Sequence, residues 1–226
     1  QTYKDIEYIV IDGGSTDGTL DILNKYKDKI SCIVSEKDNG VYDAMNKGIK
    51  RASGDIIGIL NSDDFYYNEH VLEDVADCFK GDAEACYGDL LYVNRNVKDK
   101  VVRFWQAGEY KAKKLRYGWT PPHPTFFARK EVYQKYGLYN TDFKIAGDYE
   151  LMLRVLTKGV KMSYLKKYLV CMREGGHSAK SIGQRINGWK ELYKAWRVNG
   201  LKPPRFFVLR RVLLKINQYI VKLSGV

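Results

Sequence analysis

Three groups of acidic and small polar residues in this chain of 226 residues stand where chemistry could be done. The first is Asn61-Ser62-Asp63-Asp64, which abruptly closes the apolar run Ile56-Ile57-Gly58-Ile59-Leu60. A buried strand of that composition delivers its last side chains to the crevice where open α/β sheets place ligands. Asp63 and Asp64 are hard oxygen ligands suited to Mg²⁺ or Mn²⁺, and a cation held there would grip the diphosphate of a nucleotide. The alternative is a solvated turn in which Asp64 caps the following helix. The second group is Asp12-Gly13-Gly14-Ser15-Thr16-Asp17-Gly18, a glycine-rich turn between a strand and a helix. It matches neither G-x-G-x-x-G nor G-K-[ST], so it is neither a dinucleotide fingerprint nor a P-loop; Asp12 could instead accept hydrogen bonds from a base or ribose. The third is Gly147-Asp148-Tyr149-Glu150 at the head of a helical pattern, where Asp148 is placed to cap.

The elements that must position these groups follow from periodicity. Glu7–Ile11 and Ile30–Ser35 read as strands, and Thr19 to Tyr26 and Val41 to Ala52 as helices, with Asp43 near the start of the second helix. With the strand after Gly54 this gives β-α-β-α-β, which predicts a parallel sheet with right-handed crossovers. Further on come a helix over His70–Phe79, a strand over Ala85–Val93 containing Gly88-Asp89, and an antiparallel partner at Val101–Trp105. Asp89 could meet a sugar or sit at a turn or edge. Strands follow at Thr125–Phe127 and Leu169–Arg173, separated by a helix from about Ile145 to Lys158. The expected class is α/β, a mainly parallel central sheet flanked by helices over residues 1–180, with a helical, basic region over 181–226.

With 45% apolar residues and five prolines the chain is globular. Its net charge of +11 favours anionic partners such as nucleotide diphosphates, anionic lipid or nucleic acid. Cys32, Cys78, Cys86 and Cys171 form no zinc-finger spacing, and no Arg-rich recognition helix is seen, which argues against nucleic acid. Reduced thiols, no signal peptide and no apolar run of roughly 18 residues lead to an expected cytoplasmic location.

Ile-Asp-Gly-Gly-Ser-Thr-Asp-Gly-Thr at 11–19, Ser-Glu-Lys-Asp-Asn-Gly-Val-Tyr-Asp-Ala-Met-Asn-Lys-Gly at 35–48 and Leu-Asn-Ser-Asp-Asp at 60–64 occur in one order and at compatible spacing. Together they resemble bacterial family 2 glycosyltransferases, in particular those that build capsule, exopolysaccharide and O-antigen repeat units. The resemblance implies a GT-A fold, a nucleotide-sugar donor (a UDP-sugar first among them), a divalent metal and inversion at the anomeric carbon. It places Asp12, Gly14, Ser15, Asp43, Asn61, Ser62 and Asp63 at the donor, and Asp63 and Asp64 at the metal, with His177 as a further ligand from a glycine-flanked loop. Arg173 and Lys180 are alternative phosphate partners. Asp148 matches the family's general base, with Gly147 where relatives carry Glu. A carboxylate suits that task because it must take the proton of the attacking hydroxyl. His123 and Glu150 are expected near the acceptor, a saccharide or lipid-linked saccharide. Two departures stand out: Asn61 replaces the first aspartate of an Asp-x-Asp-Asp signature, and relatives carry a strand and helix ahead of Gln1-Thr2-Tyr3, so the 1–180 domain reads as N-terminally truncated. The rival readings are an inactive binding or assembly module and a nucleotidyltransferase.

In the last helix Phe206, Leu209, Leu213, Ile216, Ile220 and Leu223 fall on one stripe and Arg211, Lys215, Gln218 and Lys222 on another. Such a helix over 205–223 could lie on an anionic membrane surface, at the inner face of the plasma membrane, or pack on its own domain.

Overall fold

The computed structural model describes residues 1–97, 100–175 and 182–220. The chain opens with β1 (Ile9–Asp12), α1 (Thr19–Lys25), β2 (Cys32–Ser35), α2 (Val41–Arg51) and β3 (Ile56–Gly58). Then come β4 (Phe65–Tyr66), α3 (Val71–Cys78), β5 (Ala85–Val93), β6 (Val101–Trp105), α4 (Ala112–Leu115) and β7 (Phe127–Arg129). The chain continues through α5 (Lys130–Tyr136), α6 (Gly147–Thr157), β8 (Met162–Arg173), α7 (Ile182–Val198) and α8 (Phe207–Ile220).

The α/β class is as expected, but the sheet is mixed. β1 and β2 pair in parallel as a two-stranded sheet, while β3 pairs antiparallel with β7 at one end of the order β3-β7-β5-β8-β4. β5 runs parallel to β8; β7 pairs with its first residues and β6 with its last. The β5–β6 link is too short for a crossover, so those two must be antiparallel. Asp89 lies where β5 changes partners, and the β5–β8 register shifts on either side of it. It is neither at a turn nor on an edge strand: buried, it accepts the Ala107 N–H at 2.8 Å and the Tyr164 hydroxyl at 2.7 Å. β8 begins seven residues earlier than its apolar end suggested, because Tyr and Lys occupy its half-exposed stretch.

Side-chain alternation on the sheet divides the core. On one face Val71 and Val75 of α3, with Phe79 just after it, pack on Cys86, Leu90 and Leu169, each burial of a large apolar side chain contributing roughly 1.5–3 kcal/mol. On the other face Ala85 and Tyr87 meet a larger cluster drawn from α2, α5 and α6. Leu192, Ala195 and Trp196 of α7 and Phe207 of α8 belong to that same cluster, so helices read from the sequence as an appendage complete the main core. Of the apolar stripe expected of the last helix, Phe206, Leu209 and Leu213 are 70, 57 and 54% exposed, whereas Phe207 is buried and Arg211 faces the protein; the side chains of Ile216 and Ile220, and all of Leu223, lie outside the described residues. Cys86 and Cys171 are buried, Cys32 and Cys78 partly so.

Candidate active site

At the end of β1 the Asp12 carboxylate is enclosed by donors. Gly14 N–H and Ser15 N–H reach it at 3.1 and 3.0 Å, the Ser15 hydroxyl at 2.5 Å and the Ser35 hydroxyl of β2 at 2.6 Å. These bonds, the Ser15 hydroxyl foremost, bring its pKa down to about 2. Asp12 therefore organises the turn, and the Gly14 and Ser15 amides are turned onto it. Gly14 takes φ 82°, which the turn requires and an L side chain resists. Asp43, in the first turn of α2, accepts the Asn39 N–H at 3.1 Å and lies 3.6 Å from Lys47, which also pairs with Glu36 at 2.9 Å.

Beyond β3, Asn61 donates its Nδ2–H to Asp64 at 2.8 Å, and the Asp64 N–H returns to the Asn61 carbonyl at 3.0 Å. Asn61 thus holds the turn that presents the two carboxylates. Asp64 is 7% exposed, and its Oδ1 is buried without a hydrogen-bond partner among the described residues. Burial raises its carboxyl pKa, the Asn61 hydrogen bond opposes this and the charge of Asp63 adds to it. Ser62 is exposed beside them. Asp63 pairs with Arg95 at 2.5 Å, and Arg173 donates to the Asp63 carbonyl at 2.6 Å. Arg173 is thus at the turn, as one of the expected phosphate partners would be. Arg95, from the β5–β6 turn, was not foreseen; nothing local in sequence marks a contact over 32 residues.

Among the described residues no group of three His, Cys, Asp or Glu side chains could hold a metal alone. The donor set instead fits a cation carried by one or two carboxylates and completed by substrate phosphates, the usual arrangement for Mg²⁺. An orphaned buried oxygen on Asp64 is what such an ion would engage. His177 and Lys180 lie outside the described residues.

Asp148 is the second residue of α6 and makes no capping hydrogen bond, since α6 has no side-chain cap among the described residues. Glu191 of α7 braces the chain ahead of the helix by accepting the N–H groups of Lys144 and Ile145 at 2.9 Å and of Ala146 at 2.7 Å, and the Tyr42 hydroxyl lies 3.4 Å from the half-buried Asp148 carboxylate. Tyr42, buried on α2, donates to the Ile145 carbonyl at 2.9 Å and stacks on Tyr139 at 5.7 Å between centroids. Tyr139 shares a 2.6 Å hydrogen bond with His123 Nε2. Burial lowers the His123 pKa, and the charge of Asp148 acts against that, so His123 is in the electrostatic reach of Asp148. The backbone of Tyr139 is clamped by Asn46, whose amide accepts its N–H at 2.9 Å and donates to its carbonyl at 2.8 Å. Through Tyr42 and Gly48, which approaches Ile11, α2 ties the β1 turn to the head of α6.

Glu150 is not at an acceptor surface. It is 3% exposed, its carboxylate takes both Arg154 Nε and Nη2 at 2.9 Å, and Asn199 donates to it at 3.1 Å. Arg154 also binds the Tyr136 and Leu138 carbonyls, so Glu150 anchors the loop between α5 and α6. Two residues, about half a turn of helix, are enough to carry it to the side of α6 opposite Asp148.

A mixed sheet between helical layers, a glycine turn after its first strand and paired aspartates after β3 define a glycosyltransferase of the GT-A fold. Residues 1–137 match the family described as "Glycosyl transferase family 2", and the chain belongs to that bacterial family. It is 32% identical over 189 residues to a "PGL/p-HBAD biosynthesis glycosyltransferase" of Mycobacterium bovis (strain BCG / Pasteur 1173P2), covering 80% of this chain and 71% of the relative. It is 31% identical over 165 residues to the "UDP-Glc:alpha-D-GlcNAc-diphosphoundecaprenol beta-1,3-glucosyltransferase WfaP" of Escherichia coli, covering 71% of this chain and 62% of that one. Among solved structures it is similar to S. aureus TarS 1-349 in complex with UDP-GlcNAc, with a TM-score of 0.62 at 18% identity over 97% of this chain and 67% of that one. It also resembles the mannosyltransferase PcManGT from Pyrobaculum calidifontis with GDP-Man and Mn²⁺, with a TM-score of 0.58 at 16% identity and the same coverage. These two likenesses are of fold.

Proposed function

We propose that this glycosyltransferase moves a sugar from a nucleotide-diphosphate donor, a UDP-sugar first among them, to a saccharide or lipid-linked saccharide during cell-surface polysaccharide assembly, inverting the anomeric carbon. The observation that carries this reading is Asp148: a half-buried carboxylate at the head of α6 that makes no capping bond, set beside Tyr42 and within the electrostatic reach of His123. In one displacement the acceptor oxygen bonds to the anomeric carbon, the bond from that carbon to the diphosphate breaks with its electrons going to the diphosphate, and Asp148 takes the acceptor proton. Asp63 and Asp64 would hold Mg²⁺ or Mn²⁺, whose charge would stabilise the leaving diphosphate. Arg95 and Arg173, already at the Asp63 turn, would add two donors to the same phosphates. The turn organised by Asp12, with Gly14 and Ser15, and the Asp43 end of α2 form the donor side with Asn61 and Ser62.

The nucleotide donors in the names of the relative and neighbours support the donor class, and the diphosphate-linked lipid in the name of the E. coli relative supports a lipid-linked acceptor. Among the described residues no helix is long and apolar enough to cross a membrane. The exposed Phe206, just ahead of α8, and Leu209 and Leu213 within it support a peripheral contact with the cytoplasmic membrane face through 205–223. Thermal stability against UDP-, GDP- and dTDP-sugars, with and without Mn²⁺, tests the reading: one donor should give a metal-dependent upward shift that Asp63→Ala abolishes. A folded protein that no donor stabilises would instead indicate a non-catalytic binding module.

A further inference from the structure

We propose that the Tyr42 hydroxyl is the positioning group for Asp148, holding the carboxylate by one oxygen so that the other meets the acceptor hydroxyl. The inference deepens the reading of Asp148 as the general base and rests on it.

Asp148 needs such a partner. The terminal torsion of an aspartate is broad, so a carboxylate in the first turn of a helix, without a capping bond, swings unless something holds it. The Tyr42 hydroxyl lies 3.4 Å from its Oδ1. The same hydroxyl donates to the Ile145 carbonyl at 2.9 Å, while Glu191 accepts the Ile145 N–H at 2.9 Å. The chain just ahead of α6 is thereby fixed through both backbone polar groups of one residue.

Tyr42 is itself rigid. It is 6% exposed, and its ring stacks on Tyr139 with an interplanar angle of 16°. Asn46, one turn further along α2 and on the same face, clamps the backbone of Tyr139, so the helix that carries the hydroxyl also braces its stacking partner. Gly147 closes on the ring so tightly that a side chain there would overlap it. A hydroxyl on a ring held this way cannot follow a wandering carboxylate. The carboxylate must settle on it.

The hydroxyl has one proton and two acceptors. Burial, with the negative charge of Asp148 adding to it and the N–H groups of Asp148 and Gly147 opposing, pushes its pKa up, so it remains a donor. Ionised Asp148 competes with the Ile145 carbonyl for that proton, and hydrogen bonds to charged acceptors are the stronger. Once Asp148 has taken the acceptor's proton, the Tyr42 O–H still has the Ile145 carbonyl, so neither state strands a buried donor. Asp43, the next residue of α2, accepts the Asn39 N–H and belongs to the donor side. The first turn of α2 thus sets the base in relation to the donor, and a misplacement of about 1 Å between reacting groups costs on the order of 10²-fold.

Two measurements on the whole protein test this. Tyr42→Phe keeps the ring and removes only the hydroxyl; it should lower the urea midpoint, and lower it less in an Asp148→Ala background than in the wild type. Equal drops in the two backgrounds would overturn the contact, and this cycle needs no substrate. In turnover, followed as UDP released from UDP-glucose with Mn²⁺, Tyr42→Phe should lower kcat about tenfold, leave the KM for UDP-glucose within about twofold, and cause no further loss in Asp148→Ala. An unchanged kcat, or a loss that persists without Asp148, would overturn the positioning role. Full turnover by Asp148→Ala would instead overturn the base reading, an outcome separate from that of the urea cycle.

Discussion

The ring of Tyr42 occupies the space that a side chain at Gly147 would need: a Cβ there would come within 2.7 Å of the Tyr42 Cε2 and 2.9 Å of its Cδ2. Glycine at 147 is thus required by this chain's own packing, and the contact fixes where α6 begins and hence where Asp148 points. Gly147→Ala should destabilise by about 1–3 kcal/mol through overpacking and lower turnover as Asp148 shifts. A double-mutant cycle in urea with Tyr42→Leu should give a coupling of at least about 0.5 kcal/mol. Strict additivity would show that the two residues do not press on one another.

Glu191 braces the backbone ahead of α6, while Asp148 stands in its first turn without a capping bond. Asp148→Asn should cut kcat about 10²- to 10⁴-fold with stability unchanged within about 0.5 kcal/mol. Glu191→Ala strands three backbone donors and should cost on the order of 2–3 kcal/mol. Retained turnover in Asp148→Asn would remove it as the base.

Glu150 and Arg154 form an ion pair with little access to water. Glu150→Ala leaves the Arg154 charge buried without its carboxylate and should destabilise by about 3–5 kcal/mol in denaturant melts. An acceptor role would instead appear as a raised acceptor KM in a protein of ordinary stability.

Asp12 makes the acid limb of stability specific. Its carboxyl pKa falls from 3.8 to about 2 on folding, so its contribution is fully present above about pH 4 and is lost as pH falls through 2. The shift corresponds to roughly 2 kcal/mol. Asp12→Asn should be less stable by about that amount at pH 7 and should lose less stability than wild type between about pH 4 and pH 2, as urea midpoints would show. Parallel curves for the two proteins would mean that the Ser15 and Ser35 bonds contribute nothing net.

Most of the local order was legible in the chain itself. The glycine turn, the Asn-Ser-Asp-Asp strand end and the helical spacing from about Ile145 to Lys158 that forms α6 are short-range patterns. The family followed from three motifs, each contained within a dozen or so residues. What the linear pattern could not carry was decided by contacts over long separations. β3 takes β7 as its partner across some 70 residues, Glu191 reaches back to the start of α6, and Glu150 turns toward Arg154 and Asn199 and away from any acceptor. α8 was correctly read as amphipathic, yet which face turns inward depended on Phe207 filling a hole between Tyr149 and Trp196. Periodicity fixes which residues share a face, because it is a property of one helix or strand. Which face is buried is a property of the neighbours, and only tertiary packing supplies them.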